Sequence, residues 1–217
     1  MLNKLNKNTF LIPAIIILAT LAISAGFYIS LKQAQQSKQA NSNIEGLFWP
    51  NPKIINEFSV LDQDGNNFGL NQMKEKWSFM FFGYSHCPDV CPITMSVMAN
   101  AYKELIGESN NLQVIFASVD PNRDTIEKLF QYVRYFNPDF IGLGGDNQMM
   151  SSLTSQIGVA YYINSENKNK DYLVDHSASI FLFDPVGRMV GKISPPHTQN
   201  KIIQQFTNIK NFINEQS

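Results

Sequence analysis

Residues 10–31 (FLIPAIIILATLAISAGFYISL) run for 22 positions without a single charge. A helix of that length, rising about 1.5 Å per residue, reaches about 33 Å, enough to cross the hydrocarbon core of a bilayer. Two explanations compete. One is an uncleaved membrane anchor. The other is a cleavable secretory signal, with Lys4 and Lys7 as its basic flank and Ala22-Ile23-Ser24 offering the small residues of a cleavage site. The run stays apolar through Phe27, Tyr28, Ile29 and Leu31, beyond the usual length of a signal core, so an anchor is expected. With only residues 1–9 ahead of it, the simpler topology keeps that short N-terminus in the cytoplasm and exports the body. Both explanations place the body outside the cytoplasm.

Residues 32–44 are polar, rich in Gln, Ser and Asn, and lack apolar periodicity, which predicts a flexible linker. The folded domain is then residues 45–217. All 18 acidic residues lie from Glu45 onward, whereas Lys4, Lys7, Lys32 and Lys38 precede it, so the body is net acidic. An acidic body without a basic stripe argues against a nucleic-acid partner. The chain's 16 Phe, 8 Tyr and 2 Trp require a core, which excludes disorder for the bulk of it. Two cysteines exclude a disulfide-rich scaffold.

The body alternates strand and helix signals. Phe58–Leu61 and Phe68–Leu70 flank a turn at Asp64-Gly65, a hairpin pattern. Trp77-Ser-Phe-Met-Phe-Phe, ending at Gly83, suits a central strand buried on both faces. Apolar residues recur at helical spacing from Pro92 to Ile106, with Gly107 to stop the helix. Residues 114–119 predict a second buried strand. Asp124-Thr125 can cap a helix through about Phe136, and Asp146 can begin another that ends near Gly158. Strands are expected at 160–163 and 179–183, the latter turning through Asp184-Pro-Val-Gly187 into 189–193. A last helix over 198–213 has Thr198 as its cap. This order gives an α/β sheet, part parallel and ending in an antiparallel hairpin, which fits a thioredoxin-like fold.

Both cysteines fall in Tyr84-Ser-His-Cys87-Pro-Asp-Val-Cys91-Pro92, a loop leaving the carboxyl end of the most apolar strand and entering a helix. α/β folds place sites at such ends, and a helix N-terminus favours thiolates. Cys87 and Cys91, four apart, lie close enough for a disulfide or one shared metal ion. An inert disulfide closing so short a loop would confer little stability. A redox-active or metal-binding dithiol is the stronger expectation. Two thiolates leave a metal site incomplete, so the three histidines matter. His86 adjoins Cys87 but need not converge on it. His197, in Pro195-Pro-His-Thr, reads as a loop or cap residue. His176, in Leu173-Val-Asp-His-Ser, reads as a loop histidine just before a strand. Spacing alone does not bring it to the cysteines. A Cys₂His set would suit Cu(I), and zinc less specifically.

Three ordered stretches resemble the SCO/SenC family, the membrane-anchored copper-binding proteins of cytochrome c oxidase assembly. Gly83-Tyr-Ser-His-Cys-Pro-Asp-Val-Cys-Pro92 is similar to the family's copper motif, Ser118-Val-Asp-Pro-Asn-Arg-Asp-Thr125 to its Asp-Pro-x-Arg-Asp-Thr segment, and Tyr172-Leu-Val-Asp-His-Ser177 to the segment holding its metal-binding histidine. The stretch after Ile193 diverges from the pattern, so His197 gains nothing. The resemblance implies a thioredoxin-like fold that gathers Cys87, Cys91 and His176 as ligands for Cu(I), or Cu(II) with a further ligand. Asp175 and Asp120 are candidates for groups behind the ligands. Implied partners are an upstream copper donor and the binuclear copper centre of oxidase subunit II, either supplied with copper or reduced beforehand. Because residues 1–9 leave no room for an Arg-rich presequence, a bacterial inner membrane is expected over a mitochondrial one, with a single span and the domain in the periplasm.

The resemblance thus favours a metallochaperone over an enzyme. A thiol–disulfide oxidoreductase, with Cys87 attacking and Cys91 resolving, is the alternative. Its thioredoxin-type relatives have Cys-x-x-Cys and a proline facing the dithiol, whereas this chain has Cys-x-x-x-Cys and Asp175-His176-Ser177. A peroxidase based on Cys87 is disfavoured because no Arg or Lys lies between Trp77 and Tyr102.

Overall fold

A computed structural model of the chain describes residues 8–41, 44–107, 111–163 and 172–216. It forms two compact units, Met1–Asn43 and Ile44–Ser217. The described residues of the first unit form one helix, α1 (Asn8–Asn41). Its segment Ile15–Gln33 has a mean hydropathy of 1.9 with 0% buried, so it is long and apolar enough to cross a membrane. The helix does not stop where the apolar run ends. Residues 32–41, expected as flexible linker, are helical. They contain no Gly or Pro and are mostly Gln, Lys and Ala, which propagate a helix once it is nucleated.

The second unit is built on a seven-stranded sheet. Its strands are β1 (Val60–Asp62), β2 (Asn67–Phe68), β3 (Trp77–Gly83), β4 (Leu112–Ser118), β5 (Ile141–Gly144), β8 (Ile180–Phe183) and β9 (Met189–Ile193). They lie in the order β2-β1-β5-β4-β3-β8-β9. β3, β4 and β5 are parallel, and β8 and β9 close the other side as an antiparallel hairpin. Every residue of β3 and β4 is buried, as unbroken apolar runs in a covered parallel sheet should be. The helices are α2 (Leu70–Met73), α3 (Val90–Ile106), α4 (Ile126–Phe136), α5 (Asn147–Ile157) and α6 (Gln199–Glu215). Trp77 and Phe79 of β3 meet the ring of Phe206 on α6 edge-on, while Phe116 of β4 meets Tyr132 of α4. This is the expected thioredoxin-like fold.

The capping residues act as the sequence suggests. Thr125, Asp146 and Thr198 each accept a backbone N–H in the first turn of α4, α5 and α6, and Gly158 ends α5 in the left-handed conformation at φ 86°. Strand β5 is absent from the sequence reading. Its two glycines hide the strand signal, yet they let α4 approach, since a Cβ on Gly144 would lie 2.6 Å from Leu129 Cδ1. A separate two-stranded ribbon pairs β6 (Tyr161–Ile163) with β7 (Val174–His176). His176 was expected in a loop before a strand. It instead ends a strand of its own.

Candidate metal centre

The cysteine loop leaves β3 at Gly83 and enters α3 at Val90. The N–H of Cys87 donates to the carbonyl of Tyr84 at 3.1 Å, which folds the loop back on the strand end. Cys91, in the first turn of α3, is fully buried, whereas Cys87 is only partly buried. Gly83 makes room for this. A Cβ there would stand 2.8 Å from Cys91 Sγ and 2.9 Å from the ring edge of Phe116. The loop is also gripped from the turn between β4 and α4. Buried Asp124 accepts the N–H of Ser85 at 3.0 Å and the hydroxyl of Ser118 at 2.7 Å, and it binds the Ser85 hydroxyl as well. His86 turns to this group rather than to the cysteines, with Nδ1 3.7 Å from the Asp124 carboxylate.

β7 supplies the third member. Successive residues of a strand face opposite ways. Val174 packs into the core and Asp175 is exposed, and His176 lies edge-on to Phe81 and Tyr84, with ring centroids 6.1 and 6.0 Å away. Nδ1 of His176 lies 3.1 Å from the carbonyl of Ser177, and Nε2 lies 3.3 Å from Cys91 Sγ. Donation from Nδ1–H to that carbonyl leaves the Nε2 lone pair facing the thiol. The Ser177 carbonyl thus does what was expected of Asp175. Exposed on the far side of the strand, Asp175 acts on the imidazole only through its charge.

Cys87, Cys91 and His176 offer ligand atoms that all lie within 4.8 Å of one another. With metal–sulfur and metal–imidazole bonds of about 2.3 and 2.0 Å, the values for zinc, three trigonal donors stand roughly 4 Å apart. The set therefore fits one ion after small adjustments, the Cys91–His176 pair opening slightly from 3.3 Å and wider separations closing. Both cysteines are free thiols, not a disulfide. Burial pushes the Cys91 thiol well above the ordinary cysteine range, and neighbouring Cys87 adds to the effect. The helix N-terminus, expected to favour a thiolate, is outweighed here by desolvation. Burial also holds the His176 imidazole below its ordinary range, partly offset by the Ser177 carbonyl and Asp175. A neutral imidazole facing a thiol is a donor set ready for a soft metal that displaces the thiol protons. Nearby, the hydroxyl of Tyr132 is buried with no hydrogen-bond partner among the described residues.

The other candidates stand apart from this cluster. Asp120 is fully buried. It accepts the Tyr172 hydroxyl at 2.6 Å and pairs with Arg123. His197 Nε2 lies 2.7 Å from the carbonyl of Ala178, next to the cap of α6, as its loop setting suggested. Asp124 was read only as a helix cap, a place Thr125 takes, and Tyr84, Tyr172 and Arg123 were not singled out from residue type. Asp124 and Arg123 lie in the 118–125 stretch and Tyr172 in the 172–177 stretch, so the motifs contained a signal for them that spacing alone could not turn into roles.

The chain matches the family model SCO1/SenC over residues 50–211. It is 30% identical over 198 residues to an SCO2-like protein of Rickettsia prowazekii, covering 91% of this chain and 97% of that protein. Among solved structures, it is similar to Arabidopsis thaliana ScoI with copper bound, at 30% identity and a TM-score of 0.68, covering 72% of this chain and 97% of that one. It is also similar to apo Sco1 of Thermus thermophilus in solution, at 32% identity and a TM-score of 0.68, covering 76% of this chain and 95% of that one.

Proposed function

The chain belongs to the SCO1/SenC family, and on that premise we propose that it carries copper on Cys87 Sγ, Cys91 Sγ and His176 Nε2. In this proposal it receives the metal from an upstream donor and serves the binuclear copper centre of cytochrome c oxidase subunit II. One observation carries the reading. Segments 85 residues apart in the chain bring Cys91 and His176 to 3.3 Å, with a second thiol in the same cluster. Two thiolates and an imidazole suit Cu(I), and the imidazole helps to accommodate Cu(II). Three protein donors at a partly exposed edge let the metal leave by ligand exchange, which a closed four-ligand cage resists. The apolar α1 and the rickettsial relative support a bacterial membrane protein whose domain faces the periplasm.

The exposure difference between the thiols supports a second role. Cys87 is reachable and Cys91 sits buried behind it. In that role the Cys87 thiolate attacks a disulfide of the recipient, forming a mixed disulfide and releasing one recipient thiolate. Cys91 then gives up its proton to the recipient thiolate already released and attacks the Cys87 sulfur of the mixed disulfide, releasing the second thiolate, so two electrons pass to the recipient and this chain ends as a disulfide.

The test is metal analysis of the full chain in detergent, reduced anaerobically and loaded with Cu(I), beside His176→Ala, Cys87→Ser and Cys91→Ser. One copper per chain is expected, lost in both serine variants, with Cu(II) affinity reduced at least about tenfold by His176→Ala. Unchanged affinity in that variant would remove His176 from the site. Failure to retain copper, together with a readily cycling disulfide, would favour the reductase role.

A further inference from the structure

His176 is carried by a ribbon of only two strands, outside the main sheet. Two strands alone have little rigidity, so the place of the imidazole depends on what fastens the ribbon to the body. Tyr172 stands just ahead of β7. Its hydroxyl donates to Asp120 Oδ1 at 2.6 Å, and its ring lies beneath the Arg123 guanidinium, 3.6 Å from the ring centroid. Arg123 pairs in turn with Asp120 and lies 5.5 Å from the ring of Tyr84, the residue against which His176 packs. Tyr84 also meets the backbone of Val174, on β7 itself. Asp120 is 0% exposed, and a charge-assisted hydrogen bond in such a setting is strong and directional.

The turn that holds Tyr172 holds the other half of the site too. The N–H groups of Arg123 and Asp124 both donate to the carbonyl of Asp120, at 3.1 and 3.0 Å, and Asp124 fastens Ser85 in the cysteine loop. One turn, residues 120–124, therefore grips the cysteine loop through Asp124 and the histidine strand through Asp120 and Arg123. We infer that Tyr172, clamped by Asp120 and Arg123, is a positioning residue that sets where His176 stands relative to the two cysteines. This inference rests on the Cys87–Cys91–His176 site proposed above. Its consequence is selective. Two thiolates hold Cu(I) without precise help from the imidazole, whereas Cu(II) depends on the nitrogen donor, so loosening the clamp weakens Cu(II) more than Cu(I).

The test is a double-mutant cycle on the full chain in detergent with Tyr172→Phe, which keeps the ring under Arg123 and removes only the hydroxyl. The four proteins are wild type, Tyr172→Phe, His176→Ala and the double variant. Cu(II) and Cu(I) affinities are measured by competition, and imidazole nitrogen coupling is followed by electron paramagnetic resonance. Tyr172→Phe is expected to weaken Cu(II) binding about tenfold and to change the nitrogen coupling while leaving the thiolate-to-copper absorption in place. In the His176→Ala background the same change is expected to cost less than about twofold. An equal loss in both backgrounds would mean that Tyr172 acts on the thiols or on the fold, and would overturn the inference. Wild-type affinity and spectrum in Tyr172→Phe would overturn it while leaving the site intact, provided His176→Ala still weakens Cu(II). No effect of His176→Ala would bring down the site itself, and the clamp's role with it.

Discussion

Burial governs the protonation of both Cys91 and His176. Burial keeps the Cys91 proton in place through the neutral range and keeps the His176 imidazole neutral below its ordinary value. A metal must therefore expel at least one thiol proton, while competition from protons at the imidazole begins only at lower pH. The sign follows directly, since each proton released makes apparent affinity rise about tenfold per pH unit. Cu(I) affinity is expected to climb by at least that factor per unit between about pH 6.5 and 8.5. Competition against a chromophoric Cu(I) chelator at several pH values measures this, and a flat profile would contradict the protonated Cys91. His176 contributes to stability in the same sense. Its lowered value means that the unfolded chain takes up the proton first, so this contribution is complete above about pH 6.5 and is lost as pH falls from there through the lower folded-state value.

At the scale of elements, the end of β3 is the tightest joint in the site. Cys91 sits in the first turn of α3 directly over Gly83, and Phe116 of β4 closes the same space from the side. Gly83→Ala introduces a methyl group at 2.8 Å from the Cys91 sulfur, which the first turn of α3 must yield to. Overpacking of this kind costs about 1–3 kcal/mol, and here it also moves a proposed copper ligand. Urea unfolding followed by tryptophan fluorescence is expected to show that loss, with weaker Cu(I) retention in the same variant. Wild-type stability would mean that α3 shifts freely and that the joint is not tight. β6 and β7 are the opposite case, a short ribbon whose register places Tyr161 opposite His176 and whose position is borrowed from its anchors.

For the whole molecule, copper on the proposed ligands would tie together segments that only the finished fold makes neighbours. A ligand that binds the native state alone stabilises it by about 4 kcal/mol at a thousand times its dissociation constant. For a domain of this size that corresponds to a rise in melting temperature of roughly 8–16 °C. Thermal unfolding of the reduced chain with and without Cu(I) is expected to show such a rise, and its absence would place copper, if bound, on a site the unfolded chain also offers. Helix α1 belongs to this scale as well. If it is an anchor, the mature protein stays in membranes washed with salt and carbonate. A shortened, freely soluble chain would show that the apolar run is a removed signal.

Much of this was legible in the residues. The uncharged run at 10–31, the doubly buried strands around Phe79 and Phe116, and the caps at Thr125, Asp146 and Thr198 follow from local patterns, because transfer from water and backbone hydrogen bonding act on neighbours in the chain. The dithiol loop was visible for the same reason, two cysteines between an apolar strand and a helix. His176 could be joined to it only through the resemblance of its surrounding motif, since proximity across 85 positions is not written in spacing. What only the tertiary structure decided is of that long-range kind. It placed His176 on a strand, assigned its orientation to the Ser177 carbonyl rather than Asp175, let desolvation outweigh the helix end at Cys91, and made residues 120–124 the common grip on both halves of the site. Each of these depends on which surfaces exclude water together, and that is settled when the sheet assembles.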